Sequence, residues 1–154
     1  HGGDLGDNGV WGKHTLMERA LRSTLIIRTP GMKDAGKSTD AVVETVDLYP
    51  TLAELCGLET RQPGDGTSLS PVLADASQPG DGEARGYWRN GGNWGATLRT
   101  DRYRLTRYQS EPNGGKVAQL ELYDHEQDPT ESVNVAADRP DVVKELLQRL
   151  DGKP

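Results

Sequence analysis

The chain has 154 residues, 33% of them hydrophobic, with 19 glycines, no phenylalanine and a net charge of −6. That length suffices for one domain, but so few apolar residues predict a thin core. An acidic chain complements a phosphate backbone poorly, which argues against nucleic acid as a partner, and no apolar run is long enough to cross a membrane. The single cysteine excludes an internal disulfide.

Residues 1–14, HGGDLGDNGVWGKH, contain five glycines among polar side chains. They predict a loop that bends sharply or approaches a ligand, and a plain surface loop is the alternative. His1 is a candidate metal ligand, and Lys13 is a candidate partner for an anion. The abrupt start, without an initiator methionine or a signal-peptide pattern, leads us to expect that the true N-terminus is missing.

An α/β layer is predicted for the next part of the chain. After a short helical stretch at residues 15–21, the run TLIIR at residues 24–28 predicts a buried strand. A helix is expected over residues 48–56, with Asp47 as its N-cap and Gly57 at its end. Leu52 and Leu55 should pack on the sheet, with Thr51 pointing away.

Residues 65–83 are rich in glycine, proline, aspartate and serine and predict a connecting segment with a short helical turn at most. The glycine-rich stretch 87–95 follows and carries Trp88, Arg89 and Trp94. Two indoles and a guanidinium suit stacking on a sugar ring and pairing with an acid. Tryptophans that fill a joint between subdomains are an equally good interpretation.

The remaining segments predict a small α+β unit. Residues 96–108 alternate as an antiparallel hairpin with one buried face, and residues 120–123 as a third strand. The arginines of this region, Arg104 among them, are expected mostly on a solvated face, and His125 is expected to be solvated. Asp138 should cap a last helix, whose apolar stripe is Val142, Val143, Leu146, Leu147 and Leu150.

Four ordered blocks together resemble the sulfatase family of the alkaline phosphatase-like superfamily. They are His1-Gly2 with the loop ending in Gly12-Lys13-His14-Thr15, then Asp47-Leu48-Tyr49-Pro50-Thr51-Leu52, then Gly66-Thr67-Ser68-Leu69 with Pro71-Val72-Leu73, and finally Leu122-Tyr123-Asp124 with Asp128-Pro129, Glu131 and Asn134. The Trp11-Gly12-Lys13 loop and the later Leu98-Arg99-Thr100-x-x-Tyr103-Arg104 look most like the iduronate-2-sulfatase branch. The resemblance covers nearly the whole chain but only the C-terminal portion of such an enzyme.

The resemblance implies a fold and a domain division. Residues 1–75 would be the C-terminal remnant of the sulfatase α/β sandwich. Residues 76–154 would be the small antiparallel-sheet subdomain with its helix.

The resemblance also implies site roles. His1 would help to hold calcium (Ca2+), and Lys13 would contact the sulfate, which makes both candidate catalytic residues; Trp11, Trp88, Arg89 and Trp94 are candidate substrate contacts. The family nucleophile, a formylglycine made from a cysteine in a Cys-x-Pro/Ser-x-Arg motif, would lie in a segment N-terminal to this chain. Cys56 does not match that motif and is expected to be a small buried hydrophobe.

The function implied is hydrolysis of sulfate esters on a small molecule or glycan, with the remainder of the sulfatase chain as partner. The 154 residues alone are expected to be inactive because they lack the nucleophile. A phosphoester or phosphonate hydrolase of the same superfamily, and a non-catalytic carbohydrate-binding or structural fragment, are the alternatives. The resemblance suggests a periplasmic, secreted or lysosomal location.

Overall fold

A computed structural model describes residues 2–59, 64–112 and 115–152. The strands are β1 (Asp4–Leu5), β2 (Trp11–Gly12), β3 (Glu83–Asn90), β4 (Asn93–Thr100), β5 (Tyr103–Gln109) and β6 (Val117–Asp124). The helices are α1 (Glu18–Leu21), α2 (Leu48–Leu55), α3 (Ser70–Ala74) and α4 (Pro140–Asp151). Among these residues no helix is both long and apolar enough to span a bilayer.

Two compact units divide the chain, one formed by residues 2–24 with 85–152 and the other by residues 25–84. The first contains a β1–β2 ribbon and an antiparallel sheet in the order β3-β4-β5-β6. The second contains α2 and α3. A domain boundary between residues 75 and 76 stays a prediction.

One face of the four-stranded sheet packs against α4 and forms the main hydrophobic core. Its fully buried leucines pair across neighbouring strands, Leu98 with Leu105 and Leu105 with Leu122. The predicted stripe of α4 covers them, with Val143, Leu146 and Leu150 buried and Val142 and Leu147 packed at the margin. This confirms the antiparallel sheet and its C-terminal helix. The helix starts one residue later than expected, with Arg139 rather than Asp138 at the N-cap position.

The other face of the sheet is also covered, so the prediction of a single buried face is wrong. Residues from the start of the chain lie on it, and Leu16 and Ala20 are buried there. Glycines in the sheet allow this close approach: a Cβ on Gly95 would lie 2.7 Å from Leu16 Cδ1, and one on Gly86 would lie 3.3 Å from Leu21 Cδ1. Because this layer comes from a distant part of the sequence, strand alternation gave no signal for it.

Helix α2 in the second unit begins and ends close to where its sequence predicts. Gly57 adopts a left-handed φ of 65°, and two bonds close the last turn, Gly57 N–H to the Glu54 carbonyl and Leu58 N–H to the Ala53 carbonyl. This pattern is a Schellman C-cap, which uses glycine to satisfy the final carbonyls.

The face that α2 buries carries Thr51 and Ala53 rather than the two leucines, which corrects the predicted orientation. Asp47 accepts hydrogen bonds from the amides of Glu44 (2.7 Å) and Thr67 (2.9 Å), and does not cap α2 with its side chain. Thr51, predicted to point outward, is buried and accepts from the amide of Leu69 at 2.8 Å. These bonds attach the segment before α3 to the helix.

The apolar stripe of α2 and the predicted strand at residues 24–28 are consequently exposed. Leu52 is 58% exposed, Leu55 is 42% exposed, and residues 24–28 form neither a helix nor a paired strand. A strand forms only where a neighbour completes its hydrogen bonds, and no strand of the described residues pairs with this run. Both predictions, burial of the two leucines and a strand in a sheet, are therefore wrong for this structure.

Candidate functional site

The glycine-rich loop folds back on itself as a small ribbon. Leu5 pairs with Trp11, and Asp4 pairs with Gly12. The turn between the strands closes through the Gly6 amide, which donates to the Val10 carbonyl at 2.9 Å. Gly6 has a φ of 104°, and its missing side chain leaves room for the Trp11 indole, because a Cβ would lie 3.3 Å from Cζ2 of that ring. The glycines thus give this loop a defined shape.

The ribbon exposes two of the predicted site residues. Trp11 is 77% exposed, and Lys13, which follows β2 directly, is exposed as well. An exposed indole beside an ammonium group can contact an anionic ligand through both a ring face and a charge. His1, the predicted metal ligand, lies outside the described residues.

A cavity of about 350 Å³ lies behind this ribbon and is lined by charged and polar side chains. They include Asp4, Glu18, Arg19, Arg22 and Glu131. Asp4 is 1% exposed, and neither carboxylate oxygen has a hydrogen-bond partner among the described residues. A buried carboxylate without partners is costly, so Asp4 is the group in this loop best suited to receive a donor or a cation.

The predicted sugar-stacking segment is a β-hairpin, not an irregular loop. The Arg89 guanidinium lies 4.8 Å from the centre of the Trp94 ring, a cation–π contact. Trp88 instead packs edge-on against Tyr108, with ring centres 6.2 Å apart. Tyr108 pairs with Gly95, the residue after Trp94, so the two indoles lie on opposite faces of the sheet. The structure brings Arg89 and Trp94 together and separates them from Trp88.

A buried ion network lies on the sheet face that residues 2–24 cover. Arg104 is 3% exposed; its Nε donates to Glu131 at 2.6 Å, and its Nη2 pairs with Glu18. Arg99 Nε lies 3.4 Å from the same Glu18 carboxylate. The expectation that these arginines lie on a solvated strand face is therefore wrong for Arg104, because the second layer over the sheet excludes water from it.

His125 belongs to this network, which corrects the prediction that it is solvated. Its side chain is 8% exposed, and its Nε2 lies 2.8 Å from Glu131 Oε1. Burial alone would raise the pKa of Glu131, but the His125 hydrogen bond and the Arg104 charge outweigh burial, so that pKa lies below its ordinary value. Glu131 is therefore a buried carboxylate that stays ionised.

Glu18, His125 and Glu131 offer ligand atoms within 4.8 Å of one another, the geometry of a metal cluster. Their surroundings argue against that role. Arg104 already pairs with both carboxylates, and Arg99 lies against one of them. Two fixed guanidinium charges beside the same oxygens would repel a cation, so the cluster is an ion-pair network and not a metal centre.

Cys56, the single cysteine of the chain, lies outside these clusters. Cys56 is exposed, so the expectation of a buried hydrophobe is wrong. It follows the last residue of α2.

Glu131 stands out in the sequence only as part of a motif, although its left-handed φ of 57° marks a constrained position for a residue other than glycine.

Comparison with known proteins shows which proteins share this architecture. A sulfatase of Formosa agariphila is 32% identical over 137 residues, covering 88% of this chain and 25% of that protein. A Δ4,5-hexuronate-2-O-sulfatase of Bacteroides thetaiotaomicron is 30% identical over 149 residues, covering 90% of this chain and 29% of the relative. A solved structure in complex with its substrate D-glucosamine-2-N,6-O-disulfate matches with a TM-score of 0.80 and 27% identity, covering 96% of this chain and 31% of that one.

The antiparallel sheet with its covering helix is thus the C-terminal region of the sulfatase fold. The chain belongs to the family described as N-sulphoglucosamine sulphohydrolase, C-terminal, which it matches over residues 6–153. It spans between about a quarter and a third of the length of these three relatives.

Proposed function

We propose that this chain is the C-terminal part of a sulfuric ester hydrolase and supplies one wall of its active site. The observation that carries the proposal is the match of almost the entire chain to a structure that holds a sulfated glucosamine. The nucleophile, a formylglycine by resemblance to the sulfatase family, would come from a segment outside these 154 residues. Activity therefore requires the longer polypeptide.

Lys13 is the residue of this chain that we assign to the sulfate. Hydrolysis of a sulfate ester builds negative charge on the oxygens around sulfur as the ester bond breaks. A fixed ammonium group near those oxygens stabilises the charge more in the transition state than in the ground state. The exposed position of Lys13 at the end of the ribbon supports this role, since its ammonium group is accessible to a ligand.

Calcium would supply a further positive charge on the sulfate, and His1 is its proposed ligand here. Among the described residues of the loop, Asp4 has the free carboxylate oxygens that calcium prefers, whereas Asp7 is engaged by the Leu5 amide at 3.3 Å and by Arg19 at 3.5 Å. One free carboxylate is far from the roughly six to eight oxygen ligands of a calcium site. These residues alone do not fit the ion.

The substrate we propose is a sulfated sugar. Trp11 is exposed two residues before the exposed Lys13, and Arg89 with Trp94 forms an aromatic and cationic pair. Trp88 is a candidate from the sequence as well, but its packing on Tyr108 favours a structural role. Relatives act on different positions, a hexuronate 2-O-sulfate in one case and a disulfated glucosamine in another. The resemblance of the Trp11 loop leads us to propose the 2-O-sulfated uronate, as in the iduronate-2-sulfatase branch.

The test is a substrate panel assayed with the complete polypeptide that ends in this sequence. The panel contains a 2-O-sulfated uronate, a 6-O-sulfated glucosamine, an aryl sulfate and a phosphonate monoester. We expect release of sulfate, fastest from the uronate. Faster hydrolysis of the 6-O-sulfated glucosamine would contradict the assignment to the iduronate-2-sulfatase branch. Hydrolysis of the phosphonate alone would overturn the sulfatase assignment.

A further inference from the structure

Besides the buried Leu16 and Ala20, one backbone hydrogen bond of long sequence range joins the segment after the ribbon to the connection between β6 and α4. The amide of Glu18, the first residue of α1, donates to Glu131 Oε2 at 2.7 Å across 113 positions of sequence. Between Lys13 and this point the chain makes a compact turn, in which Met17 N–H donates to Thr15 Oγ1 at 3.2 Å. Glu18 therefore fixes one end of the short connection that follows Lys13.

Glu131 is itself held rigidly. It is 2% exposed, and its other oxygen accepts from Arg104 Nε and lies 2.8 Å from His125 Nε2. Charge-assisted bonds of this kind are stronger and better oriented than neutral ones. Both partners come from the sheet region, one from β5 and the other from the turn directly after β6.

The side chain of Glu18 is bound to the same network. Its carboxylate pairs with Arg104 Nη2, and Arg99 lies beside it. Arg104 thus reaches both glutamates, one with Nε and the other with Nη2. As a result, the start of α1 is fixed through its backbone amide and its carboxylate simultaneously.

We propose that Glu131 is a positioning residue for residues 2–17, the segment that carries Trp11 and Lys13. It acts through the Glu18 amide and through Arg104, and it touches no substrate. Its importance for catalysis rests on the proposed function, but the attachment itself does not. Without the Glu131 carboxylate, the Glu18 amide loses its acceptor, and the connection to the ribbon keeps the apolar packing of Leu16 and Ala20 but loses its charged anchor.

The first test measures amide hydrogen exchange residue by residue, by NMR, on the 154-residue chain. The variants are Glu131→Ala, Glu131→Gln and, as a matched control, Glu121→Gln, a second glutamate on the same sheet face. In Glu131→Ala we expect exchange of the Glu18 amide and of residues 2–17 to rise about tenfold or more, the loss expected for a charged hydrogen bond. Glu131→Gln keeps an acceptor oxygen and should restore part of the protection.

Amide exchange in β6 and α4 shows whether Glu131 positions residues 2–17 or stabilises the whole fold. We expect it to stay within about twofold of the wild type in Glu131→Gln, and we expect Glu121→Gln to leave residues 2–17 unchanged. An equal rise throughout the chain in Glu131→Gln would overturn the proposal, as would unchanged exchange at Glu18. If Glu131→Ala does not fold, the Gln variant alone decides between these outcomes.

The second test uses sulfate-ester hydrolysis by the complete polypeptide. We expect Glu131→Gln to lower kcat/KM more than Glu121→Gln does, at matched folded fractions, because Lys13 is then misplaced. Local deprotection of residues 2–17 without any sulfatase activity in the wild type would uphold the positioning role and reject the proposed function. Full activity in Glu131→Gln despite that deprotection would instead reject the importance of the positioning for catalysis.

Discussion

At the scale of single residues, two glutamates on one sheet face differ in what surrounds their charge. Glu131 has Arg104 and His125 as partners, and its pKa is lowered. Glu121 is half-buried, and its Oε2 has no hydrogen-bond partner among the described residues. Burial raises the pKa of Glu121, and the neighbouring Tyr123 hydroxyl offsets this effect only in part. The ionised Glu131 is therefore compatible with the fold, whereas ionisation of Glu121 lowers the stability of the folded state.

Replacing Glu121 by Gln should stabilise the chain at neutral pH. A carboxyl group whose pKa is raised by folding contributes stability below its unfolded pKa, near 4.5, and loses that contribution as pH rises through the folded pKa. The neutral amide keeps the acceptor for Gln119, which donates to Glu121 Oε1 at 2.6 Å. We expect a higher Tm for Glu121→Gln at pH 7 and a shrinking difference toward pH 4. A lower Tm at pH 7 would contradict this interpretation.

What the sequence could predict about single residues depended on how local their environment is. Lys13 and Trp11 were selected from a short glycine-rich loop, and both side chains are exposed; their roles at the site stay predictions. Arg104 was assigned to solvent because its partners, Glu18 and Glu131, lie on other segments of the chain; His125 was assigned to solvent because it follows a strand in a turn, although its partner Glu131 is only six residues further on. Strand alternation cannot show a second layer contributed by another part of the chain.

At the scale of elements, α4 and α2 carry similar apolar stripes but differ in what covers them. The stripe of α4 meets Leu98, Leu105 and Leu122 of the sheet, which its sequence pattern predicted correctly. The leucines of the α2 stripe, Leu52 and Leu55, are exposed. An apolar stripe predicts that one face of a helix will be covered, but it does not say which element provides the cover.

This difference gives a paired prediction for stability. Leu105→Ala should cost about 2–5 kcal/mol, because its side chain is fully buried in the core. Leu52→Ala should change the free energy of unfolding by less than about 0.5 kcal/mol, because its side chain is 58% exposed. Urea denaturation of the two variants of the 154-residue chain measures both values. A loss at Leu52 as large as that at Leu105 would show that the face of α2 is covered in solution.

Elements whose contacts are local were predicted well, and those that need distant partners were not. The hairpin of β4 and β5 is joined by a tight turn, and α4 has a proline at its first position. The run at residues 24–28 has the composition of a strand but lacks a neighbouring strand, among the described residues, to pair with. Composition can favour an extended backbone, but hydrogen bonds to a second strand are needed to form a sheet.

At the scale of the whole molecule, four ordered motifs in the sequence were enough to indicate the family. The match over residues 6–153 confirms that inference. The chain covers roughly 25–29% of the two sequence relatives, and a nucleophile from another segment of the longer polypeptide stays a proposal. These motifs could not predict the geometry of the site, because the Glu18–Arg104–Glu131 network joins three separate segments of the chain.

The 154-residue chain alone should neither hydrolyse aryl sulfates nor bind calcium tightly. It has no cysteine in a Cys-x-Pro/Ser-x-Arg motif, and the described loop offers Asp4 as its free carboxylate. An assay with added calcium should show only the buffer rate, and calorimetry should give a dissociation constant weaker than about 10⁻⁴ M. Turnover, or micromolar affinity, would show that the site is more self-contained than we propose.

The role of Lys13 at the sulfate is tested by the activity of Lys13→Ala in the complete polypeptide, with Lys33→Ala, another exposed lysine, as control. We predict that Lys13→Ala lowers kcat/KM for a sulfate ester by about 10²–10³-fold with an unchanged Tm, as expected for a charge that acts on the transition state. Lys33→Ala should behave as the wild type. Equal turnover in Lys13→Ala and the wild type would remove Lys13 from the site and contradict the proposed function of this loop.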